Sequence, residues 1–379
     1  MKHIFLYVAP LYVIYLLSNY CFVQVNYAYR SWEEYSYWYQ NKQFIIRWSR
    51  FVTVAFFTLL IFATSFGPFI ALGQTRQVLS RLFPFKRGLT HAYWAPNVWS
   101  LYSALDVVLS RLMYLGPSSS SSLHESSAIE SAASSQLTRG MVGEFTTRVL
   151  PKIEPVHCFL LTLLAMCPVL FEVWKRPHPK SFLTALLYAF MCSFMCGYHV
   201  HEKAVLMITI PLRCFFFFFC NNRRVITKCD LCWFIACCCV VVCYNSKVAL
   251  HWTLWIMRNS PFLLPLLPNM QETPIKLLLV LLHGVLMYVL LDNEIRYYQS
   301  KHRYAETGLN LHFFEWLYLF GFAGVQLFYS VIQPLLFPRW EFLPLMFFSV
   351  YSAFGCCYAW RKCYRLFQET QRVIFMTDD

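Results

Sequence analysis

Runs of mainly apolar residues, most of them close to twenty residues long, recur along the whole chain. They cover residues 4–23, 51–72, 156–174, 181–198, 204–220, 231–244, 275–291, 312–336 and 342–360. A bilayer crossing needs about twenty such residues in a helix, which satisfies every backbone hydrogen bond internally. Only 13% of the residues are charged, whereas soluble domains carry about a quarter. The pattern therefore predicts an all-α polytopic membrane protein with about nine transmembrane helices.

One further apolar segment, residues 248–268, does not fit this pattern. It is interrupted by Arg258, Pro261, Pro265 and Pro268. Proline removes a backbone donor and bends a helix. We interpret the segment as re-entrant or interfacial, with a full span as the alternative.

The cations of the chain, which give a net charge of +13, are scattered between the apolar runs. That distribution is typical of loops that set membrane topology, and it argues against a nucleic-acid surface. Three clusters are expected on the cytosolic side: Lys175, Arg176 and Lys180; Arg223, Arg224 and Lys228; and Arg361, Lys362 and Arg365. Residues 81–99 and 197–203 then share the opposite side of the membrane.

This topology divides the chain into four parts. They are two membrane spans (1–73), a large loop (74–155), the remaining spans (156–361) and a cytosolic tail (362–379).

The large loop combines two amphipathic patterns with a low-complexity insert. Residues 76–83 place apolar and polar side chains on opposite faces, as in a helix lying in the membrane interface. A second such helix begins near Pro96. Its apolar face carries Val98, Leu101, Tyr102, Leu105, Val108, Leu109 and Leu112, and its polar face carries Asn97, Ser100, Ser103, Asp106 and Ser110. The Ser-rich residues 117–136 cannot bury enough apolar area to fold, so they are predicted to be a disordered insert.

The stretch between these two helices, residues 81–99, is the first candidate binding site. Its cations Arg81, Lys86, Arg87 and His91 are suited to a phosphate group, and its rings Tyr93, Trp94 and Trp99 to a lipid headgroup or a sugar. Cations and aromatic rings of this density indicate a ledge that receives a substrate at the membrane surface. An interfacial loop anchored by Trp and Tyr is the simpler alternative.

The second candidate is the short connection of residues 197–203, which lies between two apolar runs. It contains His199, His201, Glu202 and Lys203. Lys203 and His201 are suited to donate to a phosphate, while Glu202 is suited to orient them or to accept from a sugar hydroxyl. A zinc site and a solvated hairpin loop are the alternatives. The zinc interpretation lacks a clear third ligand.

The two candidate stretches carry a resemblance to a known family. RLFPFKRGLTHAYWAPNVWSLYSALD, at residues 81–106, resembles the lumenal motif of the dolichyl-phosphate-glucose-dependent α-1,3-glucosyltransferases of the endoplasmic reticulum. GYHVHEKAVLMITIPL, at residues 197–212, resembles the second hallmark of that family. The continuation HAYWAPN, which ends at Asn97, is similar to the members that add the second glucose. The resemblance covers most of the chain outside the Ser-rich insert.

The resemblance implies a multispanning, inverting GT-C glycosyltransferase that needs no metal or other cofactor. Its expected donor is dolichyl phosphate glucose, and its expected acceptor is the monoglucosylated oligosaccharide on dolichyl pyrophosphate. The expected location is the endoplasmic reticulum membrane, with the active face in the lumen. Membrane lipid, but no nucleic acid, is a further expected partner.

Roles for the candidate residues follow from this chemistry. Arg81, Arg87, His201 and Lys203 are expected to stabilise the charge that develops on dolichyl phosphate as glucose leaves. Tyr93 and Trp94 are expected to stack on sugar. The predicted substrate-binding set is completed by Lys86, His91, Asn97, His199 and Glu202.

Two alternative functions remain open at this point. The first is addition of the first glucose by the same kind of enzyme. The second is a transporter for an anionic lipid or solute, which broken apolar segments and histidines inside the membrane would suit. The sequence shows no paired half-repeats of the kind that transporters often have.

The catalytic base is left unassigned. In the family it is an acidic residue on a first large lumenal loop that follows a membrane helix, and no such loop precedes Ile4. The chain is therefore expected to be the carboxyl-terminal part of a longer enzyme, and to be inactive alone. Asp106 and Glu202 fall on the expected lumenal side, but neither matches the base of the family.

Overall fold

The computed structural model describes residues 3–23, 45–83, 88–89, 95–114, 147, 149–201, 204, 207–208, 211, 282, 285, 289, 292–293, 296, 313–337 and 343–377. Helices dominate these residues, and three of them, within this described part, are long and apolar enough to cross a membrane. The prediction of a helical polytopic membrane protein is thereby confirmed. The predicted span at residues 231–244, the segment at 248–268 and the Ser-rich insert lie outside the described residues. Only a few residues are described within the predicted spans at 204–220 and 275–291.

The first apolar run folds as one irregular helical segment. A 3₁₀ turn, His3–Val8, leads into α1, Ala9–Leu16, and a π-helical turn, Leu17–Cys21, follows. Pro10 stands in the first turn of α1, where its missing N–H would have had no helical partner.

A short strand pair then departs from the all-α prediction. Strand β1, Phe22–Val23, pairs antiparallel with β2, Ile45–Ile46, so that Phe22 lies opposite Ile46. The backbone becomes extended at Phe22, with φ −93° and ψ 143°, so its peptide groups need partners outside the helix. The second strand supplies them. The rest of the loop between the two strands lies outside the described residues.

The second predicted span is helix α2, Trp48–Ala71, which exposes apolar side chains all along its length. It is followed by α3, Thr75–Leu82, which is strongly amphipathic, as the sequence predicted for an interfacial helix. Helix α4, Val98–Tyr114, is the second helix predicted in the large loop.

Two antiparallel helices form the centre of the described structure. Helix α5, Pro155–Lys175, begins with a capping box in which Glu154 and His157 bond each other's backbone N–H groups. Helix α6, Pro179–Cys196, begins after His178, whose ring accepts from the N–H of Lys180. Helix α6 packs on α5 and on the last helix, and most of its side chains are buried.

The carboxyl-terminal part contains α7, Phe313–Leu327, a π-helical turn, Phe328–Ile332, and α8, Gln333–Leu336. The last helix, α9, runs without a break over Leu343–Thr377. The sequence predicted a span that ends at Trp360 and a separate tail. Helix α9 continues past that point, and Cys363, Leu366 and Phe367 are buried in the main core.

A buried ion pair connects α7 to α9. Lys362 Nζ contacts Glu315 Oε1, and the hydroxyl of Tyr358 donates to the same oxygen at 3.2 Å. The Glu315 side chain is fully buried and that of Lys362 is 17% exposed. An isolated charge at such a site would be costly, and the pair with its extra hydrogen bond offsets that cost. Lys362, predicted as a cation of the cytosolic tail, therefore has a structural contact.

Candidate functional site

The end of helix α6 is the framework of the candidate site. Gly197 follows the helix with extended backbone, φ −64° and ψ 152°, and its N–H donates to Ser193 O at 3.0 Å. A Cβ at this position would collide with the backbone oxygen of Ser193 and would lie 3.0 Å from Cγ2 of Val200. Only glycine therefore fits here without a shift of the backbone.

The amino-terminal end of α4 is attached to this turn by two side chains. Asn97 caps α4, because its Oδ1 accepts from the N–H groups of Trp99 at 3.1 Å and Ser100 at 3.3 Å. Its Nδ2 donates to Phe194 O at 3.3 Å. The indole Nε1 of Trp99 donates to Gly197 O at 2.8 Å. One helix cap is thus bonded directly to the end of another helix.

His199 joins the second candidate stretch to the first. Its backbone N–H donates to Leu89 O, and its ring Nδ1 lies against Gly88 O, both at 3.0 Å. A carbonyl oxygen can only accept, so Nδ1 carries the hydrogen, and Nε2 is the acceptor in the neutral ring. His199 is buried and has φ 50°, a left-handed conformation that side chains rarely adopt.

His201 lies beside this junction. Its ring is 5.8 Å from that of His199, centroid to centroid, and nearly perpendicular to it. His201 is half-buried. Residues 88–89 of the first candidate stretch thus contact His199 of the second, while Lys86, Arg87 and Lys203 lie outside the described residues.

The first helical segment also reaches the turn. The hydroxyl oxygen of Tyr7 accepts from the N–H of Tyr198 at 3.3 Å, and the Tyr7 ring lies 5.9 Å from that of Phe159. Tyr7 is buried. Three separate parts of the chain therefore hold the backbone of residues 197–199.

The polar face of α4 is buried in the protein. Asn97, Ser100, Ser103 and Asp106 are at most 2% exposed, whereas Leu105, Val108, Leu112 and Met113 are 49–68% exposed. Helix α4 packs against α6 and α9. Much of its apolar face is thus exposed, while its polar face makes the contacts within the protein.

Asp106 is a structural anchor on this face. Its Oδ1 accepts from the N–H groups of Val149 at 3.0 Å and Leu150 at 2.8 Å. Nearby, the hydroxyl of Tyr102 donates to Pro151 O at 2.5 Å. Partial burial, and then the charge of Asp106, raise the pKa of Tyr102 above its usual value, so this donor stays protonated. These bonds tie the end of the large loop to α4.

We predict that Asp106→Ala destabilises the protein, whereas Asp106→Asn does not. Alanine removes the acceptor of two part-buried N–H groups, and a hydrogen bond to a charged group contributes about 1.5–3 kcal/mol, while asparagine keeps an oxygen at this position. Thermal unfolding of the two variants measures the difference. A strong loss of activity in Asp106→Asn, with stability unchanged, would instead indicate a catalytic carboxylate.

The predicted binding residues lie in different environments in the structure. Asn97 and His199 are buried and bonded to backbone groups, which favours positioning roles over direct substrate contact. Arg81 is exposed in the last turn of α3. Trp99, predicted as an interfacial ring, is buried. Seven predicted residues lie outside the described part: Lys86, Arg87, His91, Tyr93, Trp94, Glu202 and Lys203.

Sequence reasoning assigned no role to two residues of the junction, which is the set of contacts that Tyr7, residues 88–89 and Trp99 make with residues 197–199. A glycine directly after an apolar run is a general signal for a helix end, and it could have drawn attention to Gly197. Tyr7 has no such signal, because it lies inside an apolar run 191 residues before its partner Tyr198. No group of three His, Cys, Asp or Glu residues is placed to bind a metal within the described residues.

Comparisons with known proteins agree with one another. The model of the ALG6, ALG8 glycosyltransferase family matches residues 1–237 and 213–363. A curated protein of Bos taurus, named dolichyl pyrophosphate Glc1Man9GlcNAc2 alpha-1,3-glucosyltransferase, is 36% identical over 378 residues, which cover 96% of this chain and 60% of the relative. The relative of the same name from Arabidopsis thaliana is 35% identical over 366 residues, covering 95% and 61%.

The chain thus spans about 60% of the length of these curated relatives. No solved structure matches it.

Proposed function

This chain belongs to the ALG6, ALG8 glycosyltransferase family, and we propose from that membership that its protein is an α-1,3-glucosyltransferase acting on a dolichyl-linked oligosaccharide. The donor we propose is dolichyl phosphate glucose. The acceptor we propose is Glc1Man9GlcNAc2 on dolichyl pyrophosphate. Because that acceptor already carries one glucose, the reaction adds the second.

The acceptor assignment is supported by the names of the relatives. Those from Bos taurus, Mus musculus and Arabidopsis thaliana are all named for Glc1Man9GlcNAc2, at 35–36% identity. Such an enzyme works in protein N-glycosylation at the endoplasmic reticulum membrane. We place the candidate site on the lumenal face.

The observation that carries the proposal is the junction at His199. It brings the backbone of Gly88 and Leu89, next to Arg87, against the turn that leads to His201 and Lys203. Cations from both stretches are thereby expected around one anion. Stabilising the negative charge that develops on dolichyl phosphate is the main task of such a site, since glucose leaves as its bond to phosphate loosens.

The remaining candidates are assigned by chemistry. Arg81 and His201 complete the cation set, with Lys86 and His91 beside them in sequence. Tyr93 and Trp94 are proposed to stack on sugar, and Glu202 to orient Lys203. His199 and Asn97 are proposed to position this set. The burial of Asp106 and its two backbone bonds favour a structural role, so the catalytic base remains unassigned.

The experiment that tests the proposal is analysis of lipid-linked oligosaccharides in cells from which the protein has been removed. Accumulation of the form with one glucose supports it. Accumulation of the form without glucose would instead assign the first transfer step.

A second assay separates an enzyme from a transporter. The purified full-length protein is mixed in detergent with dolichyl phosphate glucose and the monoglucosylated acceptor, so that no sealed membrane is present. An enzyme forms the diglucosylated product under these conditions, whereas a carrier does not.

A further inference from the structure

Tyr7 differs from its neighbours in the first apolar run. Its side chain is 6% exposed, whereas those of Phe5 and Leu6 are 48% and 51% exposed. It belongs to the 3₁₀ turn His3–Val8, and its ring lies 5.9 Å from that of Phe159. A phenylalanine would make the same apolar contact, and a buried hydroxyl costs free energy unless it is hydrogen-bonded. Apolar packing alone therefore does not account for the hydroxyl of Tyr7.

The partner of this hydroxyl is a backbone group that helix α6 cannot satisfy. The chain leaves the helix at Gly197, whose N–H donates to Ser193 O. The N–H of Tyr198 comes next along the chain, and Tyr198 is buried. This N–H donates to the hydroxyl oxygen of Tyr7 at 3.3 Å. Because buried N–H groups are almost always paired in folded proteins, Tyr7 supplies an acceptor that the turn requires.

Tyr7 and Trp99 bond to the same peptide group. The oxygen of Gly197 and the N–H of Tyr198 belong to one planar unit. Trp99 Nε1 donates to that oxygen at 2.8 Å, while Tyr7 accepts from that N–H. This peptide is trans, so its oxygen and its hydrogen point in opposite directions. The two side chains therefore hold the peptide plane from opposite sides, and a rotation of the plane would break both hydrogen bonds.

The orientation of this plane matters for His199, the next residue. His199 has a left-handed backbone with φ 50°, and a conformation of this kind persists only where the surrounding structure fixes it. Its N–H and its ring bond to the oxygens of Leu89 and Gly88. A rotated peptide before His199 would move these groups away from their partners. The contact between the two candidate stretches thus depends on the peptide that Tyr7 and Trp99 hold.

We propose that Tyr7 is a positioning residue for the transfer reaction, and that it acts with Trp99 by fixing the peptide that follows Gly197. Its role is to orient the turn and not to contact the substrate. The turn leads to His201 and Lys203, to which the proposed function assigns the donor phosphate, so this inference rests on the proposed function. A loss of the Tyr7 hydroxyl is therefore expected to impair use of the donor.

The kinetic test uses Tyr7→Phe, which removes the hydroxyl and keeps the ring. Full-length protein is assayed with dolichyl phosphate glucose and the monoglucosylated acceptor. The KM for the donor is expected to rise roughly three- to tenfold, the factor that corresponds to one neutral hydrogen bond. The KM for the acceptor should not change. Unaltered KM values in Tyr7→Phe, with or without a loss of thermal stability, would overturn the proposal.

Tyr12→Phe is the matched control. It removes a hydroxyl from the same helical segment, at a position where the exposed ring contacts Phe182. Both KM values should remain those of wild type. An equal rise in the donor KM of Tyr12→Phe would show that the effect does not come from the bond to Tyr198.

A double-variant cycle tests whether Tyr7 and Trp99 act on one peptide. If they do, the loss of either bond already frees the plane. Tyr7→Phe/Trp99→Phe should then lose little more activity than the worse of the two single variants. Losses that multiply would show two independent roles and would contradict the shared peptide.

Amide hydrogen exchange separates this proposal from the proposed function, because it needs no transfer. In Tyr7→Phe and in Trp99→Phe the fragment of residues 197–201 should exchange faster by a similar factor, since opening the turn then breaks one hydrogen bond fewer. Tyr12→Phe should exchange as wild type. If wild type forms no diglucosylated product, the proposed function fails, while faster exchange still supports the hold of Tyr7 on the turn. Unchanged exchange in Tyr7→Phe would overturn that hold.

Discussion

Replacing Gly197 with alanine is expected to reduce glucose transfer by at least about tenfold, which corresponds to a loss of roughly 1.4 kcal/mol or more. The added Cβ would collide with the backbone oxygen of Ser193. The collision is not relieved by a side-chain movement, because the atom it meets belongs to the last turn of α6. The N–H of Gly197 bonds to that same oxygen, and its own oxygen accepts from Trp99. A shift would therefore disturb the attachment of α4 and the turn that carries His199.

The measurement is the rate of transfer in membranes with equal amounts of variant and wild-type protein. Gly324→Ala is the matched control, since a Cβ at Gly324 meets nothing within 4 Å. Trp99→Phe keeps a ring but removes the donor to Gly197, and should cause a smaller loss, in line with one neutral hydrogen bond of about 0.5–1.5 kcal/mol. Normal transfer by Gly197→Ala would show that the turn does not position the site.

Replacing Arg87 or Lys203 with alanine should lower the rate of transfer from a subsaturating donor by roughly tenfold or more. The reason is that each charge-assisted contact to phosphate contributes about 1.5–3 kcal/mol. These residues are 116 positions apart in sequence. Their chain neighbours meet at the bonds between His199 and residues 88–89. If both cations contact one phosphate, the double variant should lose less than the product of the two single losses.

Transfer is best assayed at donor concentrations below saturation, where weaker binding is directly visible. Arg76→Ala removes an exposed arginine from α3, in the same large loop, and should behave as wild type. Wild-type rates in both single variants would exclude a shared anion site at this junction.

Much of the fold follows from the lengths of the apolar runs. Helices α2, α5 and α6 lie within a few residues of the predicted spans at 51–72, 156–174 and 181–198. A run of about twenty apolar residues leaves the backbone few alternatives to a membrane helix. The helical spacing in residues 98–112 predicted α4 equally well. These features depend on local sequence alone, so they can be derived without a structure.

The two candidate stretches were also recognisable from sequence, because cations and aromatic rings between apolar runs are unusual. The contacts that these stretches make could not be predicted in this way. Periodicity shows that α4 has two faces. It does not show which face the protein buries, and the polar face was the buried one. The roles of Asn97, Trp99 and His199 depend on partners about a hundred residues away. Sequence therefore determined the helices and the chemical character of the site. Tertiary packing decided which polar groups hold the site together, because hydrogen bonds between residues distant in sequence form only when the helices pack.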